Sequence, residues 1–278
     1  IFICKLFKKF PNEDIIDISK YLGKKPLQII VGSIFLILFT IPIITCIYEF
    51  SNLLQGIYFP NTPISLILLL FLGSMGIANK KGFQAIVKTN TIVVILILIS
   101  LIIILSGTAG SYNLNRLTPI FGEDLQRTFL QGSQNLFAYG ALIYLLFILP
   151  FLKEKKDFPK IAIISITISG LFLLFSAVTL LALFPFIANS EELMSMYILT
   201  RCIQFGEFLQ RTDAIFIFLW IVSAFSYLSI SLMFVSNIFK KMTKSENSAG
   251  FNYSFLGIFF ALIMLFQNQT IFKFLETV

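Results

Sequence analysis

The chain has no histidine, and only 13% of its 278 residues are charged. A soluble globule of this size carries about 25% charged residues, so the deficit points to a membrane. Without histidine the commonest metal ligand and general base is missing. Cys4, Cys46 and Cys202 have no paired spacing, so neither a metal site nor a disulfide framework is suggested. No glycine-rich nucleotide loop occurs. No nucleophile constellation is visible either, so an enzyme is not expected and no cofactor is called for.

What is present is apolar length. Seven runs are long enough and uncharged enough to cross a bilayer, which takes roughly 20 residues. They are Leu27–Tyr48, Pro63–Ala78, Thr89–Ser106, Thr128–Leu152, Ile161–Ala188, Ala214–Phe239 and Phe251–Phe272. Backbone groups in lipid must be paired within the segment, so such runs are read as helices. Their all-round apolarity, without alternation, excludes a barrel. The expected fold class is therefore an all-α membrane protein, with residues 1–278 forming one integral membrane domain. Ile1–Phe7 reads as the tail of a span already under way, and the chain is expected to be a piece truncated at both ends.

Loop charge orients the spans. Sixteen of the 21 Lys and Arg fall in residues 1–26, 79–88, 153–160 and 240–250, and five in the alternate loops. Basic short loops stay in the cytoplasm, so those four segments are placed inside. The net charge of +7 is thus a topology signal. Because the basic residues are divided among loops instead of forming one patch, no nucleic-acid partner is expected.

Two further helices are expected outside the spans. Asn12 can cap, Glu13 and Asp14 suit a first turn, and Gly23 with Lys24 and Lys25 ends the element. Ile15, Ile16, Ile18 and Leu22 give it an apolar face, so it is placed on the inner membrane surface. On the outside, Ser190 followed by Glu191 and Glu192 starts a helix whose Leu193, Met194, Tyr197 and Ile198 recur at helical spacing. It is either a lid over a cavity or a plain surface helix.

The run 128–152 has a polar, glycine-interrupted centre. Gln131, Gln134, Asn135 and Ala138 share one stripe, and Tyr139-Gly140 follows. Glycine weakens the helix there, and freed backbone groups need partners. Either a bound solute supplies them, as in a broken transporter helix, or the amides bond to neighbouring helices and Gly140 allows close packing. In the sixth run Ser223, Ser226, Tyr227 and Ile230 form a second stripe, with Ser229 and Ser231 nearby. That stripe is a packing surface or a cavity wall. Trp220 lies at least a turn from either end and is expected to pack inside the bundle. Glu49, Glu207, Arg211 and Asp213 lie near outer ends and Lys88 at an inner end, so no charge is expected at mid-bilayer.

Several stretches together resemble the B subunit of bacterial spore germinant receptors. This is the endospore germination permease family of the amino acid/polyamine/organocation superfamily. They are Pro11-Asn-Glu-Asp-Ile-Ile with Tyr21-Leu-Gly-Lys, Leu117-Thr-Pro-Ile-Phe-Gly, Phe137-Ala-Tyr-Gly with Leu149-Pro-Phe-Leu-Lys, and Gly206 through Trp220. The resemblance implies ten helices in a five-plus-five inverted repeat, of which this chain holds about seven, and it makes the run 128–152 the sixth and discontinuous helix. It implies substrate contact at Phe137, Ala138, Tyr139 and Gly140. It also implies a small-molecule germinant such as an amino acid, two other receptor subunits as partners, and a multi-pass protein of the inner spore membrane or cell membrane. A secondary amino-acid transporter would use the same fold and pocket and is the alternative reading.

Overall fold

A computed structural model of the chain describes residues 2–10, 12–108, 112–118, 142–183, 212–245 and 248–266, with the single positions 110, 126, 129, 130, 132 and 140. Its α-helices are α1 (Phe2–Lys9), α2 (Ile15–Ile57), α3 (Ile64–Lys81) and α4 (Phe83–Thr108), then α5 (Leu145–Ile148), α6 (Phe158–Leu183), α7 (Thr212–Thr243) and α8 (Ser248–Phe266). Short 3-10 turns at Leu114–Leu117, Leu149–Phe151 and Lys155–Asp157 complete them, and no strand occurs among the described residues. The protein is an all-α integral membrane protein that crosses the bilayer several times.

Five of these helices are long and apolar enough to span, and a shorter apolar helix covers Gly250–Leu265. Their burial divides them. In the most apolar stretch of α3 and of α7, 44% of residues are buried, against 17% in α2 and α4 and 11% in the helix ending at Leu183. The first pair is therefore packed by protein. α4 and α6 leave most of their side chains, such as Ile92, Ile102 and Ile163, at the surface, where acyl chains solvate them as well as a protein core would; in α2 half-buried residues outnumber exposed ones.

The expected end of the first helix at Gly23 is where the backbone departs from helical geometry. α2 is two helices joined at Gly23 (φ −129°, ψ 21°) and Lys24 (φ 55°, ψ −155°). A side chain at position 23 would collide with Leu27, whose Cβ lies 2.4 Å from where the new Cβ would sit. Lys24 holds a positive φ that L-residues seldom adopt. Ile16 and Ile18 are buried as the apolar face required, but Leu22 is exposed. Backbone angles remain helical through Pro42.

The contacts group the chain into two compact units, residues 1–15 with 97–218 and residues 16–96 with 219–278. In the first unit, Phe7 meets Phe158 edge-on, with ring centroids 5.4 Å apart. The segment 112–117 closes two helix ends. Tyr112 donates its hydroxyl to the Leu105 carbonyl (2.9 Å) on α4. The Asn113 N–H bonds to the Ala182 carbonyl (3.1 Å), and the Arg116 guanidinium reaches the carbonyls of Ala182 and Leu183 on α6. The last carbonyls of a helix lack internal partners and carry partial negative charge, so an arginine is the fitting cap.

In the second unit, polar bonds tie apolar helices together. Ser236 on α7 donates to Asn252 on α8, beside Phe239 packed edge-on against Phe251 and Phe255. Lys241 on α7 pairs with Asp17 ahead of the break in α2, and Gln28 beyond the break donates to the Lys241 carbonyl (3.4 Å). At Gly32, α2 faces the Met242 side chain of α7: a Cβ there would lie 2.5 Å from the Met242 Sδ. Gly32→Leu should lower the unfolding midpoint of the reconstituted protein, by about 1–3 kcal/mol of overpacking. Met242→Ala should restore most of the loss. Additive losses in the double variant would rule out this contact as the cause.

Candidate functional site

Two places draw on the polar residues singled out in the sequence. The first is the run 128–152. Phe137, Ala138 and Tyr139 lie outside the described residues, as do Gln131, Gln134 and Asn135 and the outer segment 190–203. Gly140 is described. It is exposed, and a Cβ added there would meet nothing within 4 Å. Beyond it an apolar helix covers Leu142–Phe151.

The second place is the serine stripe of α7, in the second unit. Ser226, Ser229 and Ser231 are buried to 2% exposure or less. Each hydroxyl donates to the carbonyl one turn back, Val222 (3.0 Å), Phe225 (2.8 Å) and Tyr227 (2.8 Å). This is the standard way for a hydroxyl to be satisfied inside an apolar helix. Ser226 and Ser229 also line a cavity of about 220 Å³, with Ser74, Lys81 and Thr89 on α3 and α4. Ser74 and Thr89 likewise donate to their own helices, so these hydroxyls turn lone pairs, not protons, toward the space. Of the expected stripe, Ser226 alone is both buried and at this cavity wall, with Ser229 beside it; Ser223, Tyr227 and Ile230 are half-buried and do not line it. A larger apolar cavity of about 470 Å³ lies beside Leu54, Phe59, Leu66 and Phe71, and it shares Ser74 and Phe225 with the smaller one.

One polar residue in this region was not singled out in the sequence. Asn79 is 9% exposed. Its Nδ2 donates to the Met75 carbonyl (3.0 Å) and, across to α7, to the Ser229 carbonyl (3.0 Å). The only hint available was an amide directly before Lys80 and Lys81, where an apolar run meets its basic end. Trp220 packs edge-on against Phe50 at 4.9 Å, as expected of a tryptophan turned into the bundle, though it is only half-buried. Among the described residues no three His, Cys, Asp or Glu side chains gather in a way that could hold a metal ion.

Apolar spans tied by buried amide and hydroxyl bonds, with cavities between them, define a multi-pass helical membrane protein. The chain belongs to the family described as "Spore germination protein", which matches residues 1–271. It is 23% identical over 212 residues to Spore germination protein KB of Bacillus subtilis (strain 168). That alignment covers 71% of this chain and 55% of the relative, so the chain spans about half the length of the curated relative it matches. No solved structure matches it.

Proposed function

We propose that the protein is a membrane subunit of a spore nutrient-germinant receptor. A small germinant such as an amino acid binds at the discontinuous run 128–152 and so triggers germination. Family membership across residues 1–271 carries this reading. The site assignment rests on the resemblance of Phe137–Gly140 to the unwound motif of a discontinuous helix, whose second half would begin there. The N-terminus of such a half-helix favours a carboxylate, and unwound carbonyls favour an ammonium group, the two charges of an amino acid. Binding then shifts the bundle between conformations, and two partner subunits in the inner spore membrane respond to the shift.

Spores carrying Gly140→Leu should need on the order of tenfold more germinating amino acid, the equivalent of about 1.4 kcal/mol. A dose curve unchanged at equal protein level would remove Gly140 from the site. The alternative, a secondary amino-acid transporter, predicts uptake of labelled amino acid into vesicles holding this protein alone; the receptor reading predicts none.

A further inference from the structure

The first unit holds a cavity that neither the spans nor the germinant reading accounts for. It measures about 290 Å³ and lies where the end of α1 meets the start of α6. Its floor is apolar: Phe7, Leu149 and Phe158 line it and are 3%, 1% and 1% exposed. Its rim is basic, formed by Lys8, Lys155 and Lys156. Neither Glu154 nor Asp157 lines it, although Glu154 pairs with Lys156 at 3.3 Å. That pair is largely exposed, so water and salt screen it and the lysine stays available to another anion.

We infer that this cavity is a binding site for the headgroup of an acidic phospholipid from the inner leaflet. The position supports it. Loop charge puts both residues 1–26 and 153–160 on the cytoplasmic side, and α6 enters its apolar span just after Phe158. The cavity therefore sits at the depth where phosphate groups give way to acyl chains. The composition supports it too. Three ammonium groups on flexible stems match a phosphate anion, and lysine stems extend along apolar surface while the charge stays at the interface. A free phosphate would use the rim and gain nothing from the floor. A phospholipid uses both, because its glycerol and first acyl carbons can enter the apolar space beside Phe7, Leu149 and Phe158 while its phosphate meets the rim. Basic pockets between membrane helices on the cytoplasmic side take lipid headgroups for this reason.

The test places the full chain in nanodiscs of phosphatidylcholine holding a minority of phosphatidylglycerol. After transfer to detergent, the phosphatidylglycerol retained per protein is read by native mass spectrometry. The variant Lys8→Gln/Lys155→Gln/Lys156→Gln should retain on the order of tenfold less. The matched variant Lys80→Gln/Lys81→Gln/Lys88→Gln, which neutralises three other lysines expected on the same face, should retain as much as the parent. Equal losses in both variants would mean a diffuse basic surface and would overturn the site. So would unchanged retention in the first variant. Displacement of the lipid by millimolar inorganic phosphate would overturn the lipid assignment in favour of a free anion. Failure of the germinant response has no bearing on these outcomes.

Discussion

Asn79→Asp is expected to leave little folded protein in the membrane. Nδ2 of Asn79 offers both its protons to carbonyl oxygens, Met75 and Ser229, each at 3.0 Å. An ionised carboxylate offers none and would press its own lone pairs against theirs. The side chain is buried, so the charge would also be stripped of water. An unpaired buried charge costs several kcal/mol, a large part of the roughly 5–15 kcal/mol that holds an ordinary fold together. Asn79→Leu should be far milder, about 1–2 kcal/mol. It keeps the approximate volume and removes the Oδ1, which has no partner among the described residues. Membrane-fraction yield and thermal unfolding in nanodiscs read both variants. An aspartate variant as abundant and stable as the parent would show that the bond between α3 and α7 is dispensable.

The second large effect is expected from Phe234→Ala. Phe234 is 2% exposed and packs on Phe39, itself 3% exposed, with ring centroids 5.9 Å apart. Truncating a buried phenylalanine costs about 3–5 kcal/mol in a water-soluble core. In a bilayer the transfer part shrinks, because lipid tails are as apolar as the protein interior. What remains is the lost packing, so the lower end, about 3 kcal/mol, is the expected value. Phe234→Leu should lose less than half of that. Equal losses for alanine and leucine would mean that ring stacking, not filled volume, holds α2 to α7.

The sequence made the helices legible because lipid imposes one rule on every residue of a span. Apolar length alone placed α3, α4, α6, α7 and α8 close to their observed positions. Punctuation was readable where a residue has a single physical role, as at Gly23, whose missing side chain leaves room for Leu27. The resumption of α2 was readable too, since the run Leu27–Tyr48 starts just past the break, but its far end was not: the helix continues through the expected outer loop to Ile57. Pairing between helices was not legible at all. Asn79 with Ser229, Ser236 with Asn252 and Asp17 with Lys241 join residues 150, 16 and 224 positions apart. A short polar side chain in a run of leucine and isoleucine does not name its partner. The serine stripe shows the same gap: its position was readable, but that its protons are held by its own helix was not. At Phe137–Gly140 the sequence supplied the whole assignment, since only Gly140 of the four is described.

The break in α2 has a mechanical side. Asp17 lies ahead of it and Gln28 beyond it, and both hold Lys241, one by the ammonium group and the other by the carbonyl. A single residue of α7 therefore works as a clasp across a hinge. While it is closed, the arm before Gly23 and the shaft after it turn as one piece. Released, the arm would still be held by the burial of Ile16 and Ile18, but no longer in register with the shaft.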